Sequence, residues 1–112
     1  MLFPSIWVIF EWLREFLLSG FPWLYLGYSA LDNFLINGFI PIAGIFGTSF
    51  LIVFLSTLIL EFSNSLKKLN STYIFASSFL IAFVFLINAN IKDIGWTKST
   101  SEVDVVVVQP NI

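Results

Sequence analysis

Three ionisable residues stand together in an apolar stretch near the start of the chain: Glu11, Arg14 and Glu15. On a helix, residues three or four apart share a face, so Glu11 neighbours both Arg14 and Glu15. Charges among apolar neighbours are costly and normally face a partner or a wet cavity. Two readings fit. One is a polar patch at a membrane surface that holds a loop or a lipid headgroup. The other is an internal ion pair, with Glu15 reaching the interface. Proton transfer between the two carboxylates has no further support in the sequence. The chain contains neither Cys nor His, which removes thiol nucleophiles, His-based triads and Cys/His metal sites from this segment.

The elements that would carry these residues follow from the charge distribution. Only 11% of the 112 residues are charged, against 58% hydrophobic and 19% aromatic, and the mean hydropathy is +0.94. Ordinary soluble domains carry about 25% charged residues, and a soluble chain of this composition would expose large apolar patches. A soluble single-core enzyme is therefore excluded as the whole account. Five Lys and Arg with a net charge of −2 give no basic field for nucleic acid.

No charge occurs from Asn33 to Leu60 or from Leu69 to Ile91. Each run exceeds the roughly 20 residues that cross a hydrocarbon core about 30 Å thick. Transmembrane helices are expected at about 39–60 and 73–91. A third is expected at about 2–19, ended by Gly20 and Pro22. Between the helices at 2–19 and 39–60 lies a loop, 20–38, rich in aromatics. Trp23, Tyr25 and Tyr28 suit either an interfacial belt or a grip on a lipid chain, with Gly20 and Gly27 permitting tight turns. The small residues Ala43, Gly44, Gly47 and Thr48 have the spacing of helix–helix packing. Asn88 and Asn90 mark the end of the last span.

Lys67 and Lys68 lie in the short loop 61–71, which the positive-inside rule assigns to the cytoplasm. The loop 20–38 and the C-terminal end then face the opposite side. Asn70-Ser71-Thr72 matches a glycosylation triplet but falls on the cytoplasmic side. Residues 92–101 read as a linker. Glu102 to Gln109, with Val105 to Val108 in a row, has the pattern of a strand buried on both faces. One strand cannot stand alone, so residues 102–112 read as the cut beginning of an α/β domain.

Three pieces of sequence, in order, resemble one family. They are Glu11-Trp12-Leu13-Arg14, then Gly20-Phe21-Pro22-Trp23 continuing to Leu26-Gly27-Tyr28-Ser29, and finally Val107-Val108-Gln109-Pro110-Asn111-Ile112, with Pro41 to Phe50 between. Together they are similar to apolipoprotein N-acyltransferase, over nearly the whole chain but only part of the family's length. Pro110 stands where Gly is common in the family. The resemblance implies an inner-membrane helical bundle with a periplasmic nitrilase-like α/β domain. It further implies transfer of an acyl chain from a phospholipid donor to the N-terminal cysteine amino group of an apolipoprotein acceptor. The family's chemistry runs through a Cys thioester with a Glu base and a Lys at the oxyanion, and no cofactor or metal. None of those three residues has a counterpart here; they are expected beyond Ile112.

The expected architecture is thus an all-α membrane region, 1–91, of about three helices with an aromatic periplasmic loop. A single β-strand would then open a truncated nitrilase-like domain. Phe21, Pro22, Trp23 and Tyr28 are the candidate portal residues, because the resemblance places their loop near the active-site mouth, and Glu11 and Arg14 form the structural polar patch. A segment of this kind is expected to be inactive alone. The competing expectation is a small non-enzymatic three-helix membrane scaffold or regulatory subunit.

Overall fold

The apolar run after Asn37 forms the helix on which the rest is assembled. In the computed structural model, which describes residues 2–17, 24–101 and 104–106, this helix is Ile40–Lys67. Among the described residues it is the second of three α-helices: α1 Leu2–Arg14, α2 Ile40–Lys67 and α3 Ser71–Ile91. Short 3-10 turns, Leu26–Ala30 and Asn37–Phe39, lie in the connection between α1 and α2. Helix α2 packs against α1, α3 and both turns. Around it Ala30, Ile36, Leu55, Leu58 and Val84 form the buried apolar cluster.

α2 and α3 are each long and apolar enough to cross a membrane. Several of their large side chains point outward: Phe75, Phe79, Phe83 and Leu86 are exposed along α3, as suits a helix surrounded by hydrocarbon. Hydroxyls within the spans bond to their own helix. Thr48 Oγ1 donates to the Gly44 carbonyl at 2.7 Å, Ser56 Oγ to Ile52 at 2.9 Å and Ser77 Oγ to Tyr73 at 2.7 Å. These bonds satisfy polar atoms where water is absent.

Helix boundaries differ from the expected ones for identifiable reasons. α2 continues past Leu60 to Lys67, because the apolar run ends there while the following residues still favour helix. The connection to α3 shrinks to Lys68–Asn70. It is closed by Leu69 at φ 53° and by the Asn70 amide donating to the Ser65 carbonyl at 3.0 Å. α1 ends at Arg14 rather than near Ser19. There the amides of Glu15 and Phe16 tighten onto the carbonyls of Trp12 and Leu13. Its 13 residues amount to about 20 Å, short of a span of about 30 Å. The expected third transmembrane helix is therefore present only as this shorter helix.

Gly44 also departs from its expected packing role. It sits inside α2 at φ 64°, ψ −173°, a break in the helix, and a Cβ built there would touch nothing within 4 Å. That conformation is essentially confined to glycine. The backbone, not a neighbouring helix, requires the residue. The straight part of α2 then runs from 45 to 67, about 34 Å, still enough to span. Among the described residues there is no β-strand. Asp104 to Val106 take no regular structure, and the rest of the expected strand, 102–103 and 107–109, lies outside them.

Candidate functional site

The chemistry-bearing side chains of α1 converge on the loop that leads from Leu24 to Phe39. Glu11 is 5% exposed. Its Oε1 accepts from Trp7 Nε1 at 3.0 Å, one helical turn back, and from the Leu26 backbone amide at 2.8 Å. The second bond caps the first 3-10 turn, whose leading amides have no partner within the turn. Its Oε2 is enclosed and has no partner among the described residues. Arg14 Nη2 donates to the Leu24 carbonyl at 3.1 Å, and its guanidinium lies 5.4 Å from the centre of the Tyr25 ring. The Leu24 backbone it holds is in the left-handed region, φ 74°.

Glu15 completes the α1 side of the clamp, accepting from the Tyr25 hydroxyl at 3.0 Å. Burial first, and then this bond, push the Tyr25 hydroxyl above its ordinary value of 10.0. It therefore stays protonated and donating at neutral pH. Glu11 and Arg14 thus each make one hydrogen bond to the loop, and Glu11 makes a second to Trp7 of its own helix. Tyr25 is buried. Its ring stacks on Tyr28 at 5.8 Å between centres and packs against Phe46 at 5.2 Å.

Two further anchors come from the other helices. The Gly27 amide donates to Ser49 Oγ of α2 at 2.8 Å in a buried contact. A Cβ on Gly27 would press into the carbonyl of Ile45, so loop and helix touch backbone to backbone. From α3, Asn88 bridges the far end of the loop. Its Oδ1 accepts from the Gly38 amide at 2.9 Å, and its Nδ2 donates to the Phe34 carbonyl at 2.9 Å.

Of the expected site residues, the structure places Glu11 and Arg14 against the loop and leaves Tyr28 44% exposed at its surface. Phe21, Pro22 and Trp23 lie outside the described residues. Ser49 and Asn88 were not singled out as site residues. Ser49 carries no signal, since a serine in a span ordinarily bonds its own helix. Asn88 does carry one: an amide in an apolar run seeks a partner on another element. Among the described residues no group of acidic side chains could hold a metal ion.

Comparison with known proteins places this frame. Residues 1–58 match a family profile, the apolipoprotein N-acyltransferase N-terminal domain. The chain belongs to the apolipoprotein N-acyltransferase family. The matched stretch contains Glu11 to Arg14, the aromatic loop and Pro41 to Phe50. The apolipoprotein N-acyltransferase of Coxiella burnetii is 43% identical over 98% of this chain and 22% of its own length. The Rickettsia prowazekii enzyme of that name is 31% identical over 100% of the chain and 22% of its own. The one from Methylococcus capsulatus is 47% identical over 54% of the chain and 12% of its own. This chain thus spans about a fifth of the relatives' length. No solved structure matches it.

Proposed function

We propose that this chain is a membrane segment of an apolipoprotein N-acyltransferase, forming part of the wall and portal by which phospholipid and apolipoprotein reach a nitrilase-like catalytic domain. The carrying observation is the clamp: Glu11 and Arg14 of α1, Glu15 in the turn after it, Ser49 of α2 and Asn88 of α3 hold one aromatic loop. Portals need such preorganised walls, since small misplacements at a reacting centre cost large factors in rate. In this reading α1 belongs to a membrane helix, and Phe21, Pro22, Trp23 and Tyr28 border the lipid path. Residues 102–112 open the catalytic domain, whose Cys, Glu and Lys lie beyond Ile112. The segment alone is inactive, and it resides in a bacterial inner membrane.

The test is a chimera in which this chain replaces the matching stretch of the Coxiella burnetii relative. Acyl transfer should persist, and Trp23→Ala should slow it by about tenfold or more with expression unchanged. A folded but inactive chimera would favour the alternative, a non-enzymatic membrane scaffold. Sidedness has its own check. Lys67 and Lys68 at the end of α2 support a cytoplasmic position for that end. Cysteines at Asn70 and Ser99, both exposed, should then label from opposite faces of the membrane. Labelling from one face would overturn the assignment.

A further inference from the structure

The loop between α1 and α2 is held unequally along its length. Its first part rests on α1, the turn after it and the long arm of α2: Leu24 to Gly27 share hydrogen bonds with Arg14, Glu15, Glu11 and Ser49. Among the described residues, the second part is bonded to another element by Asn88 alone, through Gly38 and Phe34. The buried side chain of Ile36 adds its packing. The helix break at Gly44 falls between these two holdings. Ahead of it, residues 40–43 continue from the turn Asn37–Phe39. Behind it, Ile45 and Ser49 carry the first part of the loop.

Two observations make the break a joint. A Cβ on Gly44 would meet nothing within 4 Å, so no other element crowds it, and glycine is at ease both at φ 64° and in a helix. Thr48 Oγ1 ties the Gly44 carbonyl to the long arm, so rotation at Gly44 swings the part ahead of it. The second observation is the seat of the bend. A Cβ on Gly47 would lie 2.6 Å from the Ala43 Cβ, whereas Cβ atoms four apart on a regular helix are about 5–6 Å apart. The bend thus folds Ala43 onto Gly47. We propose that Gly44 is a hinge and that residues 31–39 are a flap. The flap is shut with Ala43 on Gly47 and Asn88 holding Gly38 and Phe34. It opens when Gly44 turns helical and α2 straightens, which parts the loop from α3 while residues 24–30 stay seated. Hinges absorb such φ/ψ changes at a few residues near the end of an element. The inference does not depend on the acyl-transfer reading.

The experiment is backbone hydrogen exchange of the whole chain in lipid nanodiscs, read by mass spectrometry on residues 24–30 and 31–39. Exchange reports the population of locally opened states. Gly44→Ala tolerates the straight helix but is strained in the bend, so exchange of 31–39 should rise about tenfold or more while that of 24–30 stays unchanged. Gly47→Ala should act in the same direction by pushing Ala43 off its seat, the one contact its Cβ would make within 4 Å. Adding Ala43→Gly to Gly47→Ala removes that clash and should return exchange towards the native rate. Unchanged exchange of 31–39 in Gly44→Ala, an equal rise in both segments, or a double variant as fast as Gly47→Ala alone would each overturn the inference. The Gly47→Ala and Ala43→Gly pair decides even if Gly44→Ala fails to fold.

Discussion

Gly27→Ala should lower the stability of the folded protein by about 2–4 kcal/mol. Two effects add. The new methyl has no room, because it would sit against the Ile45 carbonyl, a backbone atom that cannot rotate away as a side-chain tip could. Relief requires lifting the loop from α2, and that breaks the buried bond from the Gly27 amide to Ser49 Oγ. Ser49→Ala separates the contributions, since it removes only the acceptor and should cost about 1 kcal/mol. Thermal unfolding in detergent is the measurement. Equal melting temperatures for Gly27→Ala and the native chain would mean that the loop does not rest on the helix backbone.

Asn88→Leu should have the second large effect, about 2–3 kcal/mol. The substitution keeps the side-chain branching but removes both hydrogen bonds, leaving the Gly38 amide and the Phe34 carbonyl without their partner. Bonds between membrane helices are worth less on average than this, about 0.6 kcal/mol in direct measurements. The larger figure rests on the burial of Asn88, 3% exposed, and on two orphaned backbone groups instead of one. Asn90→Leu is the internal control. Asn90 is exposed and its Nδ2 bonds the Leu86 carbonyl of its own helix at 2.7 Å, so its replacement should be nearly neutral. If both variants melt alike, Asn88 is not a clamp.

These two residues also mark where reading the sequence succeeds and where it stops. The spans of α2 and α3 were legible because a long run without charge has one economical solution in a bilayer. The pairing of Glu11 with the loop was half legible: buried charges must find partners, but which partner depends on how the chain returns. Gly44 was misread because small residues four apart serve helix packing and backbone breaks equally well, and only the φ angle tells them apart. The lower end of α2 was misplaced because hydropathy stops at Leu60 while helix geometry does not. Contacts such as Gly38 to Asn88 span 50 residues, and local pattern holds no information on them.

That separation sets a timetable for synthesis. Gly27 meets its partner Ser49 after 22 residues, whereas Gly38 and Phe34 must wait for Asn88, 50 and 54 residues later. Membrane chains emerge from the ribosome at about 5–20 residues per second, so the two halves of the loop become fixable seconds apart. The first half can seat as soon as α1 and α2 lie side by side, and the second is fastened only when the last turns of α3 arrive. Asn88 is in effect the closing stitch of the segment, and a nascent chain halted before it would carry a loop finished at one end and open at the other.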